Sequence, residues 1–166
     1  MKMIIESSLK LLFPTIKNIE FWATGSQIYG YPTEDSDYDI ITHLSYRDQV
    51  IKVLETQNIE VTHSNYYNCI KFKFLNITIN MIFLDDKNKH AWIQATTSMV
   101  AIKESICDER FNPLRDRNQR YKLFQNLVTH FGGELPTTVY EPKSRMVTGA
   151  DLLTAVQKLS DSDIPF

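Results

Sequence analysis

Cysteine is scarce in this chain: Cys69 and Cys107 are the two among 166 residues. A disulfide framework is thereby excluded, and two free, buried thiols in a reducing compartment are expected. Long apolar runs are also missing, and none is long enough to span a bilayer. The apolar start of the chain carries Glu6 and Lys10, which break a signal-peptide core. A soluble, cytoplasmic protein with no membrane partner is the expectation. No excess of one charge exists either, with 18 Lys and Arg against 20 Asp and Glu. The whole molecule is therefore no electrostatic nucleic-acid binder, although a local basic patch stays open. His43, His63, His90 and His130 are scattered, with no metal-ligand spacing to either cysteine, which argues against a structural zinc site or a Cys–His dyad. Neither a GxxxxGK[ST] loop nor a glycine-rich dinucleotide fingerprint is present.

What is present reads as one mixed α/β domain with an appended tail. Ile5, Leu9 and Leu12 fall at helical spacing, predicting a helix over 5–13 that Pro14 ends. The aromatic, apolar run 19–24 predicts a strand ending at Gly25, followed by a helical turn over 26–29 and a loop over 31–36. Further strands are expected at 37–42, 59–63, 69–75 and 76–84, the last two hinged near Leu75-Asn76. Helices are expected at 47–55, 89–105 and 114–131, with Gly132-Gly133 as the stop. Residues 1–131 then form the domain, a short mixed sheet flanked by helices, and 132–166 a linker and C-terminal helix. Within that tail, 148–151 resemble a capping box, and Leu152, Leu153, Val156 and Leu159 follow at helical spacing. This helix is a candidate docking element for a protein partner.

One segment concentrates the chemistry: Gly25-Ser26-Gln27-Ile28-Tyr29-Gly30, then the loop, then Ser36-Asp37-Tyr38-Asp39. A strand ending in glycine lets a phosphate approach the backbone without a side-chain clash. Ser26 adds a hydroxyl, and the turn behind it offers unpaired N–H donors. Asp37 and Asp39, two apart on a strand, project from one face. Adjacent carboxylates repel unless a cation lies between them, and a hard oxygen-seeking ion shared with substrate phosphates resolves that conflict.

The segment resembles the signature of the DNA-polymerase-β-like nucleotidyltransferase superfamily, and most closely its minimal and kanamycin-nucleotidyltransferase-like branches. That pattern runs Gly-Ser, a glycine four residues on, then Ser-Asp-x-Asp. Gly25, Ser26, Gly30, Ser36, Asp37 and Asp39 occupy each of those positions. The resemblance implies transfer of a nucleoside monophosphate from an NTP, with ATP the expected donor, to an acceptor hydroxyl on RNA, a protein or a small molecule. It implies Mg²⁺ or Mn²⁺ on Asp37 and Asp39, and triphosphate held by Gly25, Ser26 and Ser36. Members usually add a third carboxylate from a later strand. Here that position is Asn80, which offers a metal one carbonyl oxygen but no charge. Two alternatives follow: a catalytically weak nucleotide-binding module, or an antitoxin-like partner protein that keeps the fold.

Other features carry plainer readings. Arg110, Arg115, Arg117, Arg120 and Lys122 form a basic stretch that reads first as a solvated face. Its sharper reading sets Arg117 and Arg120 against a triphosphate, since arginine suits bidentate phosphate contact. Lys71 and Lys73 share a strand face as solvent positions or cleft lining. Tyr29, Tyr31, Tyr66 and Tyr67 are candidates for stacking on a base or for packing. Trp92, Ile93, Ala95, Met99 and Ile102 form a core stripe. Asp85 and Asp86 read as a turn or helix cap, and Asp161 and Asp163 as part of a solvated end.

Overall fold

The computed structural model of the chain describes residues 2–64 and 68–135. Its elements are α1 (Lys2–Leu12), β1 (Trp22–Thr24), α2 (Ser26–Tyr29), β2 (Tyr38–His43), α3 (Arg47–Thr56), β3 (Thr62–His63), β4 (Cys69–Phe74), β5 (Ile77–Leu84), α4 (Asp86–Ser105) and α5 (Arg117–His130). The strands form one sheet in the order β1-β2-β5-β4-β3. β2 and β5 run parallel, and the other neighbouring pairs are antiparallel. The expected short mixed sheet flanked by helices is therefore the observed architecture.

Strand alternation divides the core into two layers. Ile79, Met81 and Phe83 of β5, with Ile40 of β2 and Ile70 and Phe72 of β4, pack against Ile5, Leu9 and Leu12 of α1 and Val50 and Leu54 of α3. The opposite face presents Ile41, Ile82 and Cys69 to Ala91, Trp92, Ala95 and Met99 of α4 and Phe124 and Val128 of α5. Each fully buried side chain of this size contributes about 1.5–3 kcal/mol, so both layers are needed for a stable domain. Glu6, the charge within the apolar start, has a local use: its carboxylate accepts the Ala23 N–H at 2.8 Å, satisfying a backbone donor on edge strand β1.

Several boundaries differ from the periodicity reading, each for a local reason. Asp85 accepts the Asn88 N–H at 2.8 Å and starts α4 at Asp86, not at 89, which is the cap the sequence suggested for it. Asp116 accepts the Gln119 N–H at 2.9 Å and starts α5 at Arg117, not at 114. Of 19–24 only Trp22–Thr24 pairs as strand, with Ile19 and Phe21 buried as core outside the ladder. Of 59–63 only Thr62–His63 pairs, at the sheet edge. The β4–β5 hinge lies where expected: Leu75 and Asn76 both have positive φ, as a two-residue hairpin of right-handed twist requires. Cys69 is buried but Cys107 is exposed, correcting the expectation of two buried thiols.

Residues 132–135 lie against α4, with the Glu134 N–H donating to Asn88 at 2.7 Å. The proposed tail helix, its cap at 148–151, Asp161, Asp163, Tyr66 and Tyr67 fall outside the described residues. Among the described residues no helix is long and apolar enough to cross a membrane.

Candidate active site

On the face covered by α4 and α5, one row of side chains crosses the whole sheet. Register sets Thr24 beside Asp39, Asp39 beside Asn80, Asn80 beside Lys71, and Lys71 beside Thr62. One step along the same face lies the row Trp22, Ile41, Ile82 and Cys69, which α4 and α5 cover. The sheet thus passes from apolar to polar in a single row, and a cavity of about 750 Å³ opens over the polar one.

Gly25 stands where β1 meets α2, at φ +76°. A Cβ there would lie 2.1 Å from Oδ2 of Asp39 and would force the carboxylate away. Its lack of a side chain therefore serves Asp39 as well as any phosphate. Gly30 has a matching reason, since a Cβ would come 2.7 Å from the Ser26 backbone. The Ile28 N–H returns to the Gly25 carbonyl at 3.0 Å, so the turn's own bonding begins there. The N–H groups of Ser26 and Gln27, ahead of that bond, are the turn's leading donors.

The two carboxylates have different surroundings. Burial pushes the Asp39 carboxyl up to about 6 from its ordinary 3.8; the Asn80 hydrogen bond opposes this, the charge of Asp37 adds to it, and Lys71 opposes it more weakly. Asn80 Nδ2 donates to Asp39 Oδ1 at 2.7 Å. Asp37, just ahead of β2, receives Lys71 Nζ on Oδ2 at 2.5 Å. Burial works to lower the Lys71 ammonium's pKa, but the hydrogen bond and charge of Asp37, with Asp39 behind them, raise it overall. Asn80 is 8% exposed, and its Oδ1 is buried without a partner among the described residues. An orphaned acceptor beside two carboxylates fits a cation, and together these oxygens fit a hard divalent ion.

The facing wall is basic. Arg115, Arg117 and Arg120 line the cavity together with Tyr31, Tyr121 and Phe124. Arg120 donates to the Leu114 carbonyl at 2.8 Å; burial lowers its pKa, yet guanidinium stays charged at any physiological pH. Arg115 lies 3.8 Å from the centre of the Tyr31 ring and also pairs with Glu109 at 2.7 Å. Asn112 Nδ2 donates to the Tyr31 hydroxyl at 2.5 Å, and Lys103 donates to the Gly30 carbonyl at 2.8 Å. These contacts fasten the loop that leads to the aspartates onto the basic wall.

Gly25, Ser26, Ser36, Asp37, Asp39, Asn80, Arg117 and Arg120 all line this one cavity. Ser36 also shapes the loop: its Oγ accepts the Thr33 N–H at 2.9 Å, and its carbonyl accepts Gln27 Nε2 at 3.2 Å. Tyr29 is 6% exposed and stacks on Phe124 with centroids 5.7 Å apart, so it packs the core. Burial, then the Asp39 charge, raises its pKa and keeps the phenol neutral. Tyr31 lines the cavity with Lys103 and Arg115 against its ring. Two contributors were weaker in the sequence than in the fold. Lys71 was read with Lys73 as a solvent position or cleft lining, and Arg115 as one member of a basic run; strand register and the Tyr31 contact single them out.

No protein-family model matches the chain, and no curated protein does. Solved structures do. The GLD-2/RNP-8 complex is 14% identical, covering 95% of this chain and 69% of that one, with a TM-score of 0.50. The non-canonical poly(A) polymerase complex GLD-2–GLD-3 is 15% identical, covering 92% of this chain and 60% of that one, with a TM-score of 0.48. The Cid1 poly(U) polymerase is 18% identical over 62% of this chain, with a TM-score of 0.48, and the match takes in 34% of its own length. This chain thus spans about a third of the Cid1 protein. At such identities the likeness is one of fold. The fold around the Gly25 to Asp39 segment is nucleotidyltransferase-like.

Proposed function

We propose that the protein binds a magnesium–NTP, with ATP the first to test, and transfers its nucleoside monophosphate to an acceptor hydroxyl, releasing pyrophosphate. One observation carries this reading: a carboxylate pair and three arginines line one cavity of about 750 Å³, a size that suits a nucleotide. Asp37 and Asp39 would hold Mg²⁺ or Mn²⁺, with Asn80 Oδ1 as a neutral third oxygen. When bound, the metal offsets phosphate charge and lines up the attacking and leaving oxygens. The Ser26 hydroxyl and the leading N–H groups of the turn behind Gly25 would take the β- and γ-phosphates, with Ser36 holding the loop beside them. Arg117 and Arg120 would contact the same phosphates from the opposite wall. A donor of this kind suits the cytoplasmic location expected from sequence, and the motif spacing suits the minimal or kanamycin-nucleotidyltransferase-like branch.

GLD-2 and Cid1 are poly(A) and poly(U) polymerases by name, which makes an RNA 3′ hydroxyl the first acceptor to try, ahead of protein and small-molecule hydroxyls. Asn80 favours a second reading, a module that binds nucleotide and turns it over slowly or not at all, because an amide adds no charge and cannot act as a base. The test is label transfer from each α-labelled NTP, with Mg²⁺ or Mn²⁺, into RNA, cell extract and the protein itself. Label with wild type and none with Asp37→Asn supports a transferase, and the labelled species names the acceptor. Nucleotide binding with no label in any acceptor supports the second reading.

A further inference from the structure

We infer that this site holds one divalent ion rather than two, because an amide at Asn80 and an ammonium at Lys71 stand where a second ion would need anionic oxygen. The inference rests on the magnesium–NTP reading above and specifies how that site is filled.

A two-ion site sets its cations about 3.5–4 Å apart and needs shared anionic oxygens to offset their repulsion. Each ion demands close to six oxygen ligands. Among the described residues no three Asp, Glu, His or Cys side chains converge on one point, and the third member of the row is the amide of Asn80. Two ions would therefore have to share the oxygens of Asp37 and Asp39 with those of the substrate. Oδ2 of Asp37 already accepts from Lys71, and Oδ1 of Asp39 from Asn80, which weakens both toward a second cation. Asp39 Oδ2 faces the space left open at Gly25. A single ion would be held by Asp37 and Asp39 without a further carboxylate.

Charge points the same way. Two carboxylates and one ammonium leave a single negative charge at the site, so a second divalent ion would make the protein's share of it strongly positive. An amide in place of a carboxylate, plus one lysine, supplies two positive charges relative to a three-carboxylate row, which is the charge of one divalent ion. Magnitudes rank the two residues. The Lys71–Asp37 pair is half-exposed on the lysine side and is therefore weak. A second ion could displace it if anionic ligands were waiting. The missing carboxylate at Asn80 is the larger barrier, and Lys71 the smaller.

The experiment counts Mn²⁺ on the full chain by equilibrium dialysis with α,β-methylene-ATP, and records its electron paramagnetic resonance spectrum. Wild type is expected to bind one ion with an uncoupled spectrum. The double variant Asn80→Asp, Lys71→Met is expected to bind two with the exchange-coupled spectrum of a close pair, and Asn80→Asp alone to go most of the way. A coupled pair in wild type overturns the inference, as does a folded double variant that still binds one ion. If the double variant fails to fold, the wild-type spectrum decides by itself. Wild type that binds neither Mn²⁺ nor the nucleotide analogue overturns the magnesium–NTP reading itself, a result distinct from binding two ions.

Discussion

The two faces of the sheet are built from the same strands and behave as opposites. Against α1 and α3 the face is largely apolar: Ile40, Ile70, Ile79 and Met81 are fully buried, and Phe83 nearly so. Against α4 and α5 the apolar packing stops one row short, and Thr24, Asp39, Asn80 and Lys71 take over. On β5 the contrast lies between neighbours, since Met81 fills the dry layer while Asn80 faces the cavity. Both layers stabilise the domain, and on the cavity side the packing stops early enough to leave a row of polar and charged groups beside it.

Substitutions can break that contrast in order of size. Met81→Ala should cost about 2–5 kcal/mol in denaturant melts, because a fully buried site collapses poorly, while nucleotide affinity per folded molecule stays unchanged. Gly25→Ala crosses the two faces. Its positive φ costs about 1–2 kcal/mol, and its Cβ displaces Asp39, so a lower melting temperature should accompany lost Mn²⁺ binding.

Asp39→Asn should do the reverse of Met81→Ala. The folded state holds the Asp39 proton up to about pH 6, while the unfolded chain releases it near 3.8. Stability from this group is thus complete below about pH 4 and is lost as pH rises through 6. Without divalent ions the variant should be more stable than wild type by about 1–3 kcal/mol at neutral pH. That gain should vanish in melts below pH 4. Smallest in stability is Arg117→Ala, expected to shift unfolding by under about 0.5 kcal/mol while weakening ATP binding about tenfold, more at low salt than at high.

The dry face and most helices were legible in the sequence because their signals are local. Leu9 and Leu12 lie one and two helical turns from Ile5, and Asp85 caps the helix that it precedes. The Gly25 to Asp39 segment was legible because each residue answers a short-range demand, such as the fit of Gly30 against Ser26. Which of Lys71 and Lys73 lines the cleft was not, because that depends on β4 lying antiparallel to β5 in the register that sets Lys71 beside Asn80. No spacing along the chain encodes that pairing. Arg115 belongs to the same class, since its partner Tyr31 is far away in sequence. The start of α5 was misplaced because apolar periodicity runs through Leu114 and Asp116 decides the boundary.

The most direct measurement is calorimetric titration of ATP into wild type and Asp37→Asn, each with and without Mg²⁺. Wild type should bind ATP substantially tighter when Mg²⁺ is present, and Asp37→Asn should lose that metal-dependent gain while keeping its fold. Equal Mg²⁺ dependence in the two proteins would contradict the placement of the metal and its nucleotide on this row of the sheet.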